Sequence, residues 1–360
     1  MTEKAMSFST AWKSFYAKAG LPRIVIGVFF IFLNIVSIVI GISFGSLMTD
    51  VIIRALMNMI LVLAMVPGIR SGIGLNFGLP LGILCGLLGG VISIELDFTG
   101  AMGFLMAILI AIPFAIIVGI AYGWLLNRVK GSEMMVATYV GFSAVSLMSI
   151  GWMLLPLNAP EMAWPMGMGV RTTISLEGRF NHILNDFWRF PTGDMDLSFG
   201  GFEIPTGLIL FVSFMLFVMW VINRSKMGIA MKTVGANPKF ATASGLNVNF
   251  YRMFGTVLST VFGAIGILVY AQSFGFLQLY LAPMFMGFAA VAGVLIGGAN
   301  VRDANISHVI IGTFLFQGLL VIALPVANNI MTLGSLAEIT RLVVSNGIIL
   351  YALTQVTGGD

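Results

Sequence analysis

The apolar runs of this sequence are long enough to cross a bilayer, and they follow one another with only short polar interruptions. The hydrocarbon core of a bilayer takes about 20 helical residues to span. Candidate spans are read at Ile24–Leu47, Val51–Ile69, Pro80–Ile94, Met102–Leu126, Met134–Pro156, Ile204–Ile222, Met253–Phe274, Pro283–Ala299, Ile306–Leu324 and Leu336–Leu350, with a break over Gly72–Pro80. Only 9% of the 360 residues are charged and 59% are hydrophobic, where a soluble domain carries about 25% charged residues. A globule so poor in charge could not cover its own surface, so lipid has to act as solvent. The pattern predicts an all-α polytopic membrane protein of about ten transmembrane helices, with broken or re-entrant segments.

Charge placement tests that count. With ten spans and both termini cytoplasmic, thirteen of the 18 Lys and Arg residues fall inside, among them Lys4, Lys13, Lys18, Arg23, Arg128, Lys130 and those of 223–252. Arg54, Arg171, Arg179, Arg189 and Arg341 fall outside, and an odd number of spans would scramble this sorting. The expected organisation is a cytoplasmic segment 1–23, a transmembrane domain 24–355 and a cytoplasmic tail 356–360. The domain carries an outer loop 157–203 and an inner loop 223–252. The run after Arg23 is too long for the core of a cleaved signal peptide and is expected to be retained.

Several functions are set aside by what the sequence lacks. A formal charge of +4 without single-sign blocks gives no nucleic-acid partner. Cys85 is the sole cysteine, and His182 and His308 lie far apart without metal-ligand spacing, so neither a disulfide nor a metal nor another cofactor is expected. No G-x-x-x-x-G-K-[ST] loop and no nucleophile–base pair occur, so the chain is not expected to be an enzyme, and any ATP hydrolysis would come from another subunit.

The inner loop has legible local physics. Asn237 can cap a helix whose first residue is Pro238, where a missing N–H costs nothing. Gly245 supplies the residue that tolerates left-handed geometry past the end. The spacing predicts a two-turn helix, Pro238 to Ser244, with Phe240 as an apolar anchor on one face. So short a helix is not stable alone in water, so it should pack either on its own chain or on a partner.

The string from Gly228 to Val248 resembles the cytoplasmic loop of ABC-importer permeases of the ribose, branched-chain amino acid and nucleoside group, approximately G-x-A-x-R-A-x-G-x-N-x-x-A-A-x-x-x-G-I. Gly228, Ala230, Gly235, Asn237, Ala241 and Gly245 match; Lys232, Thr233, Phe240 and Leu246 depart from it. Leu295–Val301 and Gly312-Thr313 are similar to the family's late segments, whereas Arg302–Ile306 stands where a Gly-rich stretch is usual. Glu133 sits closer to the nucleoside-type branch. The resemblance implies that Gly235, Asn237, Pro238, Phe240, Ala241 and Gly245 form a coupling helix lodged in a separate ABC ATPase subunit. It also implies a second permease subunit, a homodimer or heterodimer partner, and an extracytoplasmic solute-binding protein. The setting would be the bacterial inner membrane, and the small-molecule substrate a sugar- or nucleoside-like solute.

Inside the spans the polar residues are mostly uncharged. Arg54, Glu338 and Arg341 are the ionisable candidates, all near an outer end, which disfavours the competing reading of an ion-coupled secondary transporter. Asn76 in the Gly-rich break, with Gln272, Phe274 and Gln278, are candidates for the translocation path, and each has an alternative structural reading. The outer loop is rich in aromatic, Gly and Pro residues and is read as ordered, with a short amphipathic helix around His182–Phe190. It would contact a solute-delivery protein or shield the bundle. Gly86 and Gly89, and Gly263 and Gly266, have the spacing that lets helices approach closely.

Overall fold

The computed structural model describes residues 21–157, 159–163, 169–187, 189–191 and 202–330, with scattered positions between 339 and 350. Helix α1 (Leu21–Val39) turns into α2 (Phe44–Leu63), which α3 (Met65–Arg70) continues across a bend at Ala64. The sequence pattern put this first interruption at 48–50. It falls instead at 40–43, where Gly41 adopts a left-handed φ of 84°. A helix absorbs one Asp more readily than a left-handed residue, so Asp50 lies within α2.

After a break at 71–78 come α4 (Leu79–Glu95), α5 (Gly100–Arg128) and α6 (Glu133–Leu154). A long connection carries β1 (Thr173–Ser175), α7 (Ile183–Asp186), β2 (Arg189–Pro191) and β3 (Glu203–Pro205). The helix expected around His182–Phe190 is thus a single turn followed by a strand. Then follow α8 (Thr206–Arg224), α9 (Lys226–Ala236), α10 (Pro238–Ala243) and α11 (Val248–Phe274). A second break with β4 (Phe276–Gln278) leads to α12 (Leu281–Ile296) and α13 (Ile306–Ile330).

Among the described residues six helical segments are long and apolar enough to cross a membrane: Phe44–Arg70, Gly100–Arg128, Glu133–Leu154, Thr206–Arg224, Val248–Phe274 and Ile306–Asn329. Arg23–Val39, Leu79–Glu95 and Leu281–Ile296 are apolar but shorter. Most of the expected tenth span, Leu336–Leu350, lies outside the described residues, as do 1–20 and 351–360.

Two stretches repeat one order: a long helix, a break, a short apolar helix, then another long helix. The first runs from α2 to α5, the second from α11 to α13. Their packing is reciprocal, α2 lying against α12 and α13 while α11 lies against α4 and α5. Helix α4 is buried on nearly every side. A Cβ on Gly86 would come within 2.4 Å of the Ala264 carbonyl of α11, and one on Gly89 within 2.5 Å of the Ala107 carbonyl of α5. These small residues therefore let three helix backbones touch, as their spacing predicts. By contrast Leu105, Leu109 and Ile117 of α5, Leu147 and Leu154 of α6, and Phe214 of α8 are exposed, an apolar belt suited to lipid.

Candidate functional site: two helix breaks and the loops that hold them

The first break is held by the loop between α8 and α11. Ser225 Oγ accepts from Gly228 N (3.2 Å) to start α9. Asn237 Oδ1 accepts from Phe240 N (3.0 Å) to start α10, with Pro238 in the first helical position. Such a cap contributes about 1 kcal/mol. Ser244 N donates to Phe240 O (2.9 Å) and Leu246 N to Ala241 O (3.0 Å), while Gly245 takes φ 79°. The two-turn helix expected from Pro238 to Ser244 is present as Pro238–Ala243, with Ser244 as its C-cap. Ala241 is fully buried against the chain, whereas Phe240 is 60% exposed.

The same loop touches the first break backbone to backbone. A Cβ on Gly72 would lie 2.9 Å from Gly235 Cα, and one on Gly235 would lie 2.3 Å from Arg70 O. Beside this contact the buried Arg252 of α11 pairs with Glu133 at the start of α6 and reaches Gly72 O at 3.5 Å. Glu133 Oε2 also accepts from Gly131 N (2.8 Å), and Arg70 Nη2 donates to Asn305 Oδ1 (3.2 Å). Four chain segments therefore meet at this end of the bundle around a cleft of about 610 Å³, which Gly74, Glu133, Gly235 and Arg302 help to line.

Asn76 sits deeper in the first break, buried and fully engaged. Its Nδ2 donates to Ser259 Oγ (2.7 Å), and its Oδ1 accepts from Tyr122 Oη (2.8 Å) and Gly78 N (3.0 Å). Ser259 Oγ donates in turn to Ala64 O (2.6 Å), at the bend between α2 and α3. A satisfied buried network of this kind fixes the relative placement of α2, α5, α11 and the break.

The second break, at the opposite end of α11, is held by the long connection between α6 and α8. Strand β4 pairs antiparallel with β1 in the register Thr173↔Gln278, Ile174↔Leu277, Ser175↔Phe276. Leu176 N donates to Gly275 O (3.0 Å) and Leu279 N to Thr172 O (3.1 Å). The buried Gln272 accepts from Leu184 N (3.1 Å) and donates to Asn185 Oδ1 (3.3 Å); Ser273 Oγ donates to the same Asn185 oxygen (2.9 Å). Arg179 pairs with Asp97 and with Glu161 (3.1 Å), pinning the turn before α5. The Asp97 hydrogen bond, reinforced by Glu161, holds the Arg179 guanidinium above its ordinary pKa despite partial desolvation.

The sequence-derived site residues thus fall into two groups. Gly235, Asn237, Pro238, Phe240, Ala241 and Gly245 gather at the end where Gly72 lies, and Asn76 is buried in the break beyond it. Gln272 and Gln278 join the connection at the other end, and Phe274 lines a separate cavity. Sequence reasoning did not find the Arg252–Glu133 pair, Ser259 or Asn185; the pair's one signal is an Arg at the start of an otherwise uncharged helix. Of the aromatic, Gly and Pro residues noted in the loop 157–203, Trp164, Pro165, Trp188 and Gly193 lie outside the described residues.

Broken helices in two similarly ordered runs, packed reciprocally, are the construction of a membrane transporter. The family model for branched-chain amino acid transport system / permease component matches residues 16–353, and the chain belongs to that family. It is an integral-membrane transport subunit, the permease component of an ABC transporter. A stretch of 112 residues is 30% identical to the nucleoside ABC transporter permease protein NupC of Lactococcus lactis subsp. cremoris (strain MG1363). That match covers 31% of this chain and 35% of the relative, about a third of its length.

Proposed function

We propose that this chain is the membrane-spanning permease of an ATP-driven importer in a bacterial inner membrane. It translocates a sugar- or nucleoside-like solute handed over by an external binding protein. The end bearing α9 and α10 faces the cytoplasm, and α10 seats in a cleft of an ATPase subunit, two of which serve a pair of permeases. The observation that carries this reading is α10 itself. Both its ends are specified by side chain and backbone, Ala241 is buried on its own chain, and Phe240 is left uncovered. With α10 held on its own chain by its caps and Ala241, the exposed Phe240 is the apolar group it offers to a partner.

Transmission follows from the same geometry. ATP favours closed ATPase clefts, and a seated α10 passes that bias through Gly235 to Gly72 and so to the first break. Alternating access needs a bistable bundle biased from outside. The nucleoside class is favoured within the proposal by the likeness to the nucleoside permease.

The test is to introduce Phe240→Asp and Gly245→Val separately and to measure co-purification with the ATPase and solute-stimulated ATP hydrolysis. Loss of stimulation with the permease still inserted supports the assignment; full stimulation in both variants removes it. Uptake by the chain alone in liposomes, driven by an ion gradient, would favour a secondary carrier instead.

A further inference from the structure

A cavity of about 600 Å³ opens between α2, α11 and α13, on the side of the second break. Its polar and aromatic lining comes from three helices: Asp50 and Arg54 of α2, Tyr270 and Phe274 of α11, and Gln317 of α13. Asp50 and Arg54 are four residues apart, hence on one helix face, and so are Tyr270 and Phe274. The two rings stack with centroids 5.4 Å apart and planes at 23°. The Arg54 guanidinium lies 5.5 Å from the Phe274 centroid and also faces the Tyr270 hydroxyl.

At 1.5 Å per residue, Asp50 stands roughly 9 Å along α2 and Gln317 roughly 16 Å along α13, about half of the latter helix. The cavity therefore runs from the end where β1 meets β4 toward the middle of the bundle, the depth at which transporters of this construction hold solute. Charged groups in a span are costly and are kept for a use. Asp50 and Arg54 are exposed, and among the described residues the Arg54 guanidinium turns onto Phe274 and Tyr270 within the cavity.

We infer that this cavity is a transient nucleoside site, with the base against Tyr270 and Phe274 and its edge and ribose hydroxyls met by Arg54, Asp50 and Gln317. The inference rests on the importer reading above and gives that reading its solute class. An aromatic wall accepts any base by its π-face. A guanidinium fork, a carboxylate and an amide supply the donors and acceptors that base edges pair with. The opposite charges of Asp50 and Arg54 offset each other, as suits a neutral solute. Free leucine offers no ring to the aromatic wall, and ribose no planar edge to Gln317.

Cells carrying the complete importer are given radiolabelled adenosine, uridine, ribose and leucine in turn. Wild-type cells take up the two nucleosides. Phe274→Leu and Arg54→Gln each lower nucleoside uptake about tenfold, and Phe274→Tyr, which keeps the ring, restores it. Arg54 is exposed, so Arg54→Gln keeps the test alive should Phe274→Leu fail to assemble, as judged by co-purification with the ATPase. Undiminished nucleoside uptake in an assembled Phe274→Leu or Arg54→Gln variant overturns the site while leaving the importer reading intact. Wild-type uptake of leucine or ribose without either nucleoside overturns the solute class itself.

Discussion

The two helix breaks occupy matching places in two similarly ordered runs, yet they are held by different physics. The break at 71–78 is gripped by glycine backbone on glycine backbone, by the ion pair of the buried Arg252 and, deeper, by the amide of Asn76. The break at 275–280 is held by a two-stranded ladder three residues long and by amide hydrogen bonds from Gln272. Where Gly235 meets Gly72 no side chain lies between the chains to absorb a displacement, so movement of one backbone must move the other. A short ladder has little stability of its own and can shift or fray. The first arrangement suits transmission from a motor, the second suits a hinge that yields to a visiting solute or protein.

The largest expected effect is at the ion pair. Arg252→Met takes the ion pair from the half-buried Glu133, which keeps its bond from Gly131 N, and should cost about 1.5–3 kcal/mol, read as a fall in the thermal midpoint of the purified chain. Adding Glu133→Leu should recover much of that loss; a double variant no better than the single would show that the pair is not what holds this end. Gly235→Val comes next. Its Cβ would enter the space of Arg70 O at 2.3 Å, so the loop must move off the break, at a cost of about 1–3 kcal/mol. This substitution should also abolish solute-stimulated ATP hydrolysis, whereas an equally destabilising change at the second break should only weaken it.

At that second break Gln272→Leu strands Leu184 N and removes a donor to Asn185, which should cost about 1–3 kcal/mol by the same thermal measurement. The smallest effect is expected from Asp97→Asn. The Asp97 side chain is 85% exposed, and such pairs are worth about 0–1 kcal/mol. A large loss there would mean that the connection between α6 and α8 is far stiffer than a three-residue ladder allows.

What was legible in the sequence was local. Asn237, Pro238 and Gly245 announce α10 because a cap and its helix lie within a few residues of each other, and the structure moves the helix end by one residue. The apolar runs gave ten candidate spans; among the described residues six are segments long enough to cross a membrane and three are shorter helices, with a boundary wrong where Gly41 rather than Asp50 ends a helix. Contacts between distant segments were not legible. Gly72 and Gly235 are 163 residues apart, and a glycine chosen for close approach looks in sequence like any other. Strands β1 and β4 are too short to show alternation. Gln272 reads in sequence as either a path residue or a structural one, and only the folded chain brings Leu184 and Asn185 to it.

The central claim is that α10 is coupled through Gly235 to the break at 71–78. Amide hydrogen exchange on the importer assembled with its ATPase, with and without a non-hydrolysable ATP analogue, tests this most directly. The account predicts that nucleotide changes protection across 70–78 and that Phe240→Asp erases the change. Unaltered exchange at 70–78, or a response confined to 275–280, would contradict it.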